Sequence, residues 1–406
     1  MTTLRKSLTT LGMLAMTSAL GVSAANAAPL PTGSEKSQEN EQVRLTSDSG
    51  KQSAGLKAVK SENGAETFST GRLTGKSFST LGLSWKKDSP VETGTTVRAR
   101  FHRGSGWGEW RNIPLEVQDA VQGEAKRAGA PSYFTGGESD GVEVTIQAPH
   151  GKLPEDLRLG LVDPKVSAGP SGGSGAVRLG TAGKPEIKTR ADWGADESIA
   201  DPGYKTMATN KAAVIHHTVT GNNDYTPDQV KTIINGIYVD EIMNQGYGDF
   251  AYNFVVDRFG GIWEGRKGST DMQPSNKEIP AILGGHTMGF NTNTFGVALL
   301  GNFEPNNSEG GEDTGPDPEP SREMLNSTEH LLAWKLGQYK LNPTGKVELT
   351  SAGGGGTNPH PKGEVVTRDV ITSHGDLNEG GTACPGKNLH SKLPKIREDV
   401  KKMMRR

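Results

Sequence analysis

Two periodicities divide the chain. Between about Phe68 and Val162 apolar and polar residues alternate: Val97, Ala99 and Phe101 interleave with Arg98, Arg100 and His102, and Val142, Val144 and Ile146 with Glu143, Thr145 and Gln147. Period two marks a strand with one face on a core and the other in water. Glycine- and proline-punctuated turns separate these runs and no helical period intervenes, so the segment predicts a small antiparallel β-sandwich. Trp85, Trp107 and Trp110 lie within it. Such aromatics fill small β cores, and the alternative reading is a face on which sugars stack.

Beyond about residue 186 the pattern becomes α/β. The expected order is a strand near 212–215, a helix over 227–245, hairpin strands at 252–257 and 262–266, a strand at 295–301, a helix over 321–340, a strand at 370–373 and a helix over 388–403. Thr226 as N-cap with Pro227 in the first turn starts the first helix, and Val230, Ile233, Ile234, Ile237 and Ile242 give it one apolar face. The fold class read from these patterns is α/β, a central sheet flanked by helices, preceded by a small all-β sandwich-like domain.

Composition locates the boundaries. At 406 residues two domains are expected, and 55 glycines with only 32% hydrophobic residues disfavour an all-helical fold. Arg5 and Lys6, the apolar or small stretch from Leu8 to Val22 and Ala25-Asn26-Ala27 read as a signal peptide over 1–27. A membrane anchor is the weaker reading, because Thr9, Thr10, Thr17 and Ser18 break a short apolar run. Residues 28–65, rich in Ser, Glu, Lys and Gly, read as a disordered tail, 66–163 as the β-rich domain, 164–185 as a Gly/Ser linker and 186–406 as the α/β domain. The stretches 304–320 and 351–363 read as surface insertions. A formal charge of −2, more negative still once Arg5 and Lys6 are removed, argues against nucleic acid as a partner.

An exported protein with one cysteine, Cys384, has no internal disulfide to make. The thiol is then a small buried hydrophobe or a reactive or metal-ligating thiolate. Three clusters in the second domain place candidate ligands at strand ends: Ile215-His216-His217-Thr218, Ser373-His374-Gly375-Asp376 and Thr382-Ala383-Cys384-Pro385-Gly386. Two imidazoles and one thiolate suit zinc and leave a fourth tetrahedral position for water, the catalytic pattern. Such an ion would lower the water's pKa toward ~7 and polarise a carbonyl. Any of these histidines could instead be a hydrogen-bonded core residue. Strand period puts His216 and His217 on opposite faces, so only one of them should bind the ion.

Several stretches carry a resemblance: Thr189-Arg-Ala-Asp-Trp-Gly-Ala195, Val214-Ile-His-His-Thr218, Asp249-Phe-Ala-Tyr-Asn-Phe254, Trp263-Glu-Gly-Arg266, Gly285-His-Thr-Met-Gly-Phe-Asn291, Gly296-Val-Ala-Leu-Leu-Gly-Asn302 and Thr382-Ala-Cys384. In this order they resemble the peptidoglycan recognition proteins and bacteriophage lysozyme-type amidases, the type 2 amidases, over residues 186–406. The resemblance implies the type 2 amidase fold, a mixed central β-sheet flanked by helices. It implies one zinc ion per chain, held by His216, His374 and Cys384. It implies Tyr252 as a catalytic tyrosine and Thr382 as a residue steadying a developing oxyanion. It matches His286, Arg266 and Thr218 to substrate-binding positions of the cleft. The polar loop from Lys267 to Leu283 is longer than the family's, which removes the usual clue to the stem peptide read.

The function expected on these grounds is secreted, cell-wall-associated, zinc-dependent hydrolysis of the bond between N-acetylmuramic acid and L-alanine in bacterial peptidoglycan. The chain is expected to be a monomer that meets no membrane after signal cleavage, with the β domain helping to hold it on the wall. The competing reading is a non-catalytic peptidoglycan-binding receptor on the same fold. A zinc peptidase lacks support, since the chain has no His-Glu-x-x-His helix.

Overall fold

The computed structural model describes residues 39–46, 53–62, 65–115, 125–166, 183–203, 205–220, 223–270, 280–305 and 318–405. The signal segment over 1–27 and most of the Gly/Ser stretch over 164–185 lie outside the described residues, as do parts of the loops over 267–283 and 304–320.

The N-terminal domain is all-β, with strands β1 (Glu39–Thr46), β2 (Ser53–Gly55), β3 (Lys57–Glu62), β4 (Ala65–Lys86), β5 (Thr96–Arg103), β6 (Gly106–Trp107), β7 (Arg111–Ile113), β8 (Arg127–Gly129), β9 (Tyr133–Ala148) and β10 (Arg158–Asp163). Its backbone of strands runs β2-β1-β10-β4-β9-β5-β6. Strand β4 is central, pairing with β9 from Glu66 to Leu81 and with β10 over Thr80–Ser84. Register shifts between Ser69 and Thr80 bend it in between, as bulges do. The alternation read from the sequence is borne out in β5: Val97, Ala99 and Phe101 are buried in one cluster with Leu81, Leu83, Trp85, Val144 and Ile146. Trp85 is core, whereas Trp107 and Trp110 are half-buried on the outward side. The Arg100 guanidinium lies 5.4 and 4.9 Å from the centroids of those two rings.

The tail expected over 28–65 requires correction from Glu39 onward. Strand β1 pairs antiparallel with β10, β2 joins β1, and β3 pairs with β4. Leu45 and Leu56 are buried and supply apolar anchorage. The hydrogen bonds of an open sheet edge supply the rest, a contribution that average composition does not reveal.

The C-terminal domain comprises β11 (Thr206–Met207), β12 (Ala212–His217), α1 (Val230–Val239), a π-helical turn (Asp240–Gln245), β13 (Phe254–Val256), β14 (Ile262–Glu264), β15 (Ala281–Ile282), β16 (Thr294–Leu299), α2 (Arg322–Gln338), β17 (Lys346–Thr350), β18 (Val365–Asp369), β19 (Ile371–Ser373), α3 (His374–Leu377), α4 (Lys387–His390) and α5 (Leu393–Met404). Its five-stranded sheet has the order β14-β13-β16-β12-β19. Strands β13, β16, β12 and β19 are parallel, and β14 is an antiparallel edge. This is the mixed sheet expected. Helices α2 and α5 pack on one side of it, in a cluster with Ile215 and Phe295, and α1 packs on the other with Val255 and Ala298.

Two helices differ in detail from expectation. Thr226 and Pro227 close a turn ahead of the first helix, with Gln229 N–H donating to Thr226 C=O at 3.1 Å. That helix begins at Val230 and widens into the π turn at Asp240. The last helix is two, because Pro394 starts a new one near its N-terminus, where its missing N–H costs nothing.

Candidate metal centre

Strand β12 is buried along its whole length and sits at the centre of the parallel sheet. A strand covered on both faces reads as a continuous apolar run, here Ala-Ala-Val-Ile, and its C-terminal end carries His216 and His217 into the interior. His374 arrives from the neighbouring strand β19 as the first residue of α3. Ser373 caps that helix: its side chain accepts from Asp376 N–H, and Asp376 reaches back to Ser373 N–H. Cys384 is carried on the loop after α3, tied by Gly375 N–H donating to Cys384 C=O at 2.7 Å.

These elements bring His216, His374 and Cys384 together. One ligand atom from each lies within 4.8 Å of the other two, and all three residues are buried. His216 Nδ1 lies 3.6 Å from Cys384 Sγ. The site thus offers two nitrogens and one sulfur, a donor set matched to zinc. Burial, reinforced by His374, His286 and His217, holds His216 well below the ordinary imidazole range, so its ring is neutral and presents a lone pair. His217 points to the other face, as strand parity requires, and its Nδ1 accepts from Phe303 N–H at 3.4 Å.

Around this centre the candidate residues divide. The Tyr252 ring lies 5.2 Å from the His216 ring, centroid to centroid. Thr382 Oγ1 accepts from Cys384 N–H at 3.1 Å, so this threonine shapes the cysteine loop. His286 stands behind His216: its Nδ1 lies 3.0 Å from His216 Nε2 and 2.9 Å from Thr287 Oγ1. Burial, then His374 and Arg266, push His286 down to about 3, leaving it neutral. With Nδ1 of His216 facing the cysteine, its Nε2 is the nitrogen that meets His286 Nδ1. Arg266 is buried, and its N–H donates to Tyr252 C=O at 2.8 Å. Thr218 is not brought into the cluster: its hydroxyl pairs with Thr220 at 2.9 Å and accepts from Gly301 N–H at 3.0 Å.

Sequence reasoning missed the support of His374. Asn378 Nδ2 lies 3.3 Å from His374 Nε2 and 2.9 Å from Thr357 Oγ1. Thr357 belongs to the stretch 351–363, where Thr357 and Asn358 are buried and Asn358 binds Ser351 Oγ and the backbone of Gly353 and His360. The stretch read as a surface insertion is exposed at 354–356 and 361–363, while Ser351, Gly353, Thr357 and Asn358 pack inward behind a ligand. The Thr-Asn pair flanked by glycines and prolines is a capping-type signal that could have marked it.

Residues 206–387 match the family described as N-acetylmuramoyl-L-alanine amidase. The C-terminal half of the chain belongs to the peptidoglycan recognition protein and type 2 amidase family. Peptidoglycan-recognition protein 1 of Holotrichia diomphalia is 29% identical to this amidase-family half over 191 residues, 44% of this chain and 80% of that protein. Peptidoglycan-recognition protein SC2 of Drosophila melanogaster is 22% identical over 209 residues, 51% of this chain and 84% of its own. The solved endolysin N-acetylmuramoyl-L-alanine amidase LysCS from Clostridium intestinale URNW aligns at 20% identity and a TM-score of 0.30, over 53% of this chain and 96% of its own. Residues 34–171 match a second family, described as Rv3811 N-terminal galactose-binding domain-like, which takes in the strands from β1 onward. Family membership assigns the chain a peptidoglycan-related function. Among the described residues no helix is long and apolar enough to cross a membrane.

Proposed function

We propose that this chain is a zinc-dependent N-acetylmuramoyl-L-alanine amidase, exported to act on the bacterial cell wall, which hydrolyses the amide between N-acetylmuramic acid and L-alanine. The observation that carries this reading is the buried His216, His374 and Cys384 set standing beside the Tyr252 ring. When bound, zinc supplies Lewis-acid activation of water and of the scissile carbonyl. The protein's own residues do the rest. His216, held neutral by burial, offers a lone pair and His374 a second ring nitrogen, while His286 and Asn378 fix ring orientation from behind, as partners of metal-ligating histidines do. Tyr252 orients the attacking water or hydrogen-bonds the tetrahedral intermediate. Thr382 holds the cysteine loop in place and stands beside the developing oxyanion. His286 serves His216 in this reading more directly than it serves the substrate, and Arg266 faces the interior near Glu241 and His286.

A receptor that only binds peptidoglycan would have no use for an intact two-histidine, one-cysteine set, and this favours the enzyme. The test is digestion of purified peptidoglycan by the mature protein, with and without a chelator and with zinc restored, products being read by mass. Stem peptides beginning in L-alanine, lost with chelator and regained with zinc, are expected. Intact peptidoglycan that nevertheless sediments the protein would replace the enzyme by the receptor.

A further inference from the structure

The amidase-family domain does not merely follow the β domain; the two share a buried boundary centred on the π turn Asp240–Gln245. Glycines on the β side make the contact possible. A Cβ at Gly82, Gly129 or Gly160 would collide with the side chain of Asp240, Gln245 or Asn244, and a Cβ at Gly236 of α1 would collide with Thr80. Into this space Asp240 brings a fully buried carboxylate. Ser132 Oγ donates to its Oδ2 at 2.7 Å, Asn244 Nδ2 to its Oδ1 at 2.6 Å and Gln245 Nε2 to its Oδ2 at 3.1 Å. Asn40 and Gln42 of β1 donate to Asn244 Oδ1 at 3.0 and 2.9 Å, and Gln245 Nε2 donates to Ala130 C=O at 3.2 Å. Phe134 and Val162 of the β domain lie in the same buried cluster as Ile234, Ile237 and Tyr252.

The next residue, Glu241, faces the other way. It too is fully buried, and its Oε2 accepts from Ala251 N–H at 2.9 Å. Ala251 immediately precedes Tyr252. Its C=O accepts from Gly285 N–H at 2.8 Å, and Gly285 immediately precedes His286. Adjacent residues on a helical turn point in different directions. One carboxyl therefore takes hold of the β domain while its neighbour takes hold of the backbone beside the metal centre.

We propose that Glu241 is the positioning residue for Tyr252, and that the β domain, by clamping Asp240, is the part of the molecule that holds Glu241 in place. The role given to Tyr252 rests on the amidase reading; the mechanical link does not. Burial raises Glu241 to about 8, so its carboxyl is neutral at pH 7 and glutamine is a close replacement. In this account the β domain is needed for turnover even on a small soluble substrate that requires no hold on the wall.

The test uses the full chain with Glu241→Ala, Glu241→Gln, Asp240→Ala and the milder Ser132→Ala. Three quantities are read: hydrogen exchange of the amides at 250–253, zinc content, and kcat and KM on a soluble muramoyl peptide. Glu241→Ala and Asp240→Ala are expected to speed exchange at Ala251 and to lower kcat roughly tenfold, with KM within about twofold and zinc unchanged; displacement of catalytic groups by about an ångström has effects of at least this size. Ser132→Ala should move the same amides less, and Glu241→Gln should restore the protein. Unchanged exchange at 250–253 in both Asp240→Ala and Ser132→Ala would overturn the part given to the β domain. Glutamine as damaging as alanine would overturn the acceptor role of Glu241. If the unsubstituted protein hydrolyses nothing, the amidase reading fails, and the exchange data still decide the link.

Discussion

Strands β5 and β12, one in each domain, are built on opposite principles. In β5 every second residue faces water, so Arg98, Arg100 and His102 stay on the solvent side while Val97, Ala99 and Phe101 form core. In β12 both faces are covered, so His216 and His217 enter the interior with the apolar residues before them. A half-exposed strand can carry charges at little cost, whereas a strand buried on both sides forces any titratable residue to be neutral or paired. The same residue type, histidine, is therefore a surface partner of Asp140 in β5 and a neutral candidate ligand in β12.

That contrast can be broken at its strongest point. Cys384→Ala should abolish both zinc binding and hydrolysis, measured as bound metal and as released stem peptide; full activity would remove the metal reading of β12. His286→Ala should leave the three ligands in place and weaken zinc by about 10- to 100-fold in competition with a chelating dye, the range seen when the partner of a metal-bound histidine is removed. His217→Ala, on the opposite face, should retain zinc affinity and lower stability by about 1–3 kcal/mol in chemical denaturation, since Phe303 N–H loses its acceptor.

A pH dependence sharpens the picture of buried acids. Glu241 is raised from 4.5 to about 8 by burial, so the folded state holds this proton more tightly than the unfolded chain does. Its contribution is full below pH 4.5 and lost as pH rises through about 8. Thermal melting across that window should show the unsubstituted protein losing stability relative to Glu241→Gln; parallel curves would mean that Glu241 is not buried as an acid. The smallest effects belong to the solvent face of β5. Arg98→Ala should change stability by no more than about 0.5 kcal/mol. Trp107→Ala with Trp110→Ala should leave the fold intact and, if this face helps hold the wall, reduce sedimentation with peptidoglycan sacculi.

Much of this was legible in the residues. Alternation located β5 and β9, the apolar run before His216 located the central strand, and strand parity separated His216 from His217. The solitary Cys384 pointed to a thiol with a task. Other features were not legible. The strands between Glu39 and Glu62 carry few apolar residues and depend on pairing with β10 and β4, edges that exist only in the folded domain. The stretch 351–363 read as a surface insertion, and its Thr357 is the support behind Asn378 and His374. The apolar face read for the first helix did not include Asp240 and Glu241, and both are fully buried.

The sequence by itself determined the element types, the donor chemistry and the face of β12 on which it lies, because periodicity and residue type act locally. Only the tertiary structure decided which imidazole backs His216, what braces His374 and how the β domain reaches Tyr252. Those relations join residues from four to more than a hundred positions apart through the packing around them, and they depend on close approach, as at Gly82, Gly160 and Gly236, where a Cβ would meet a side chain of the other domain.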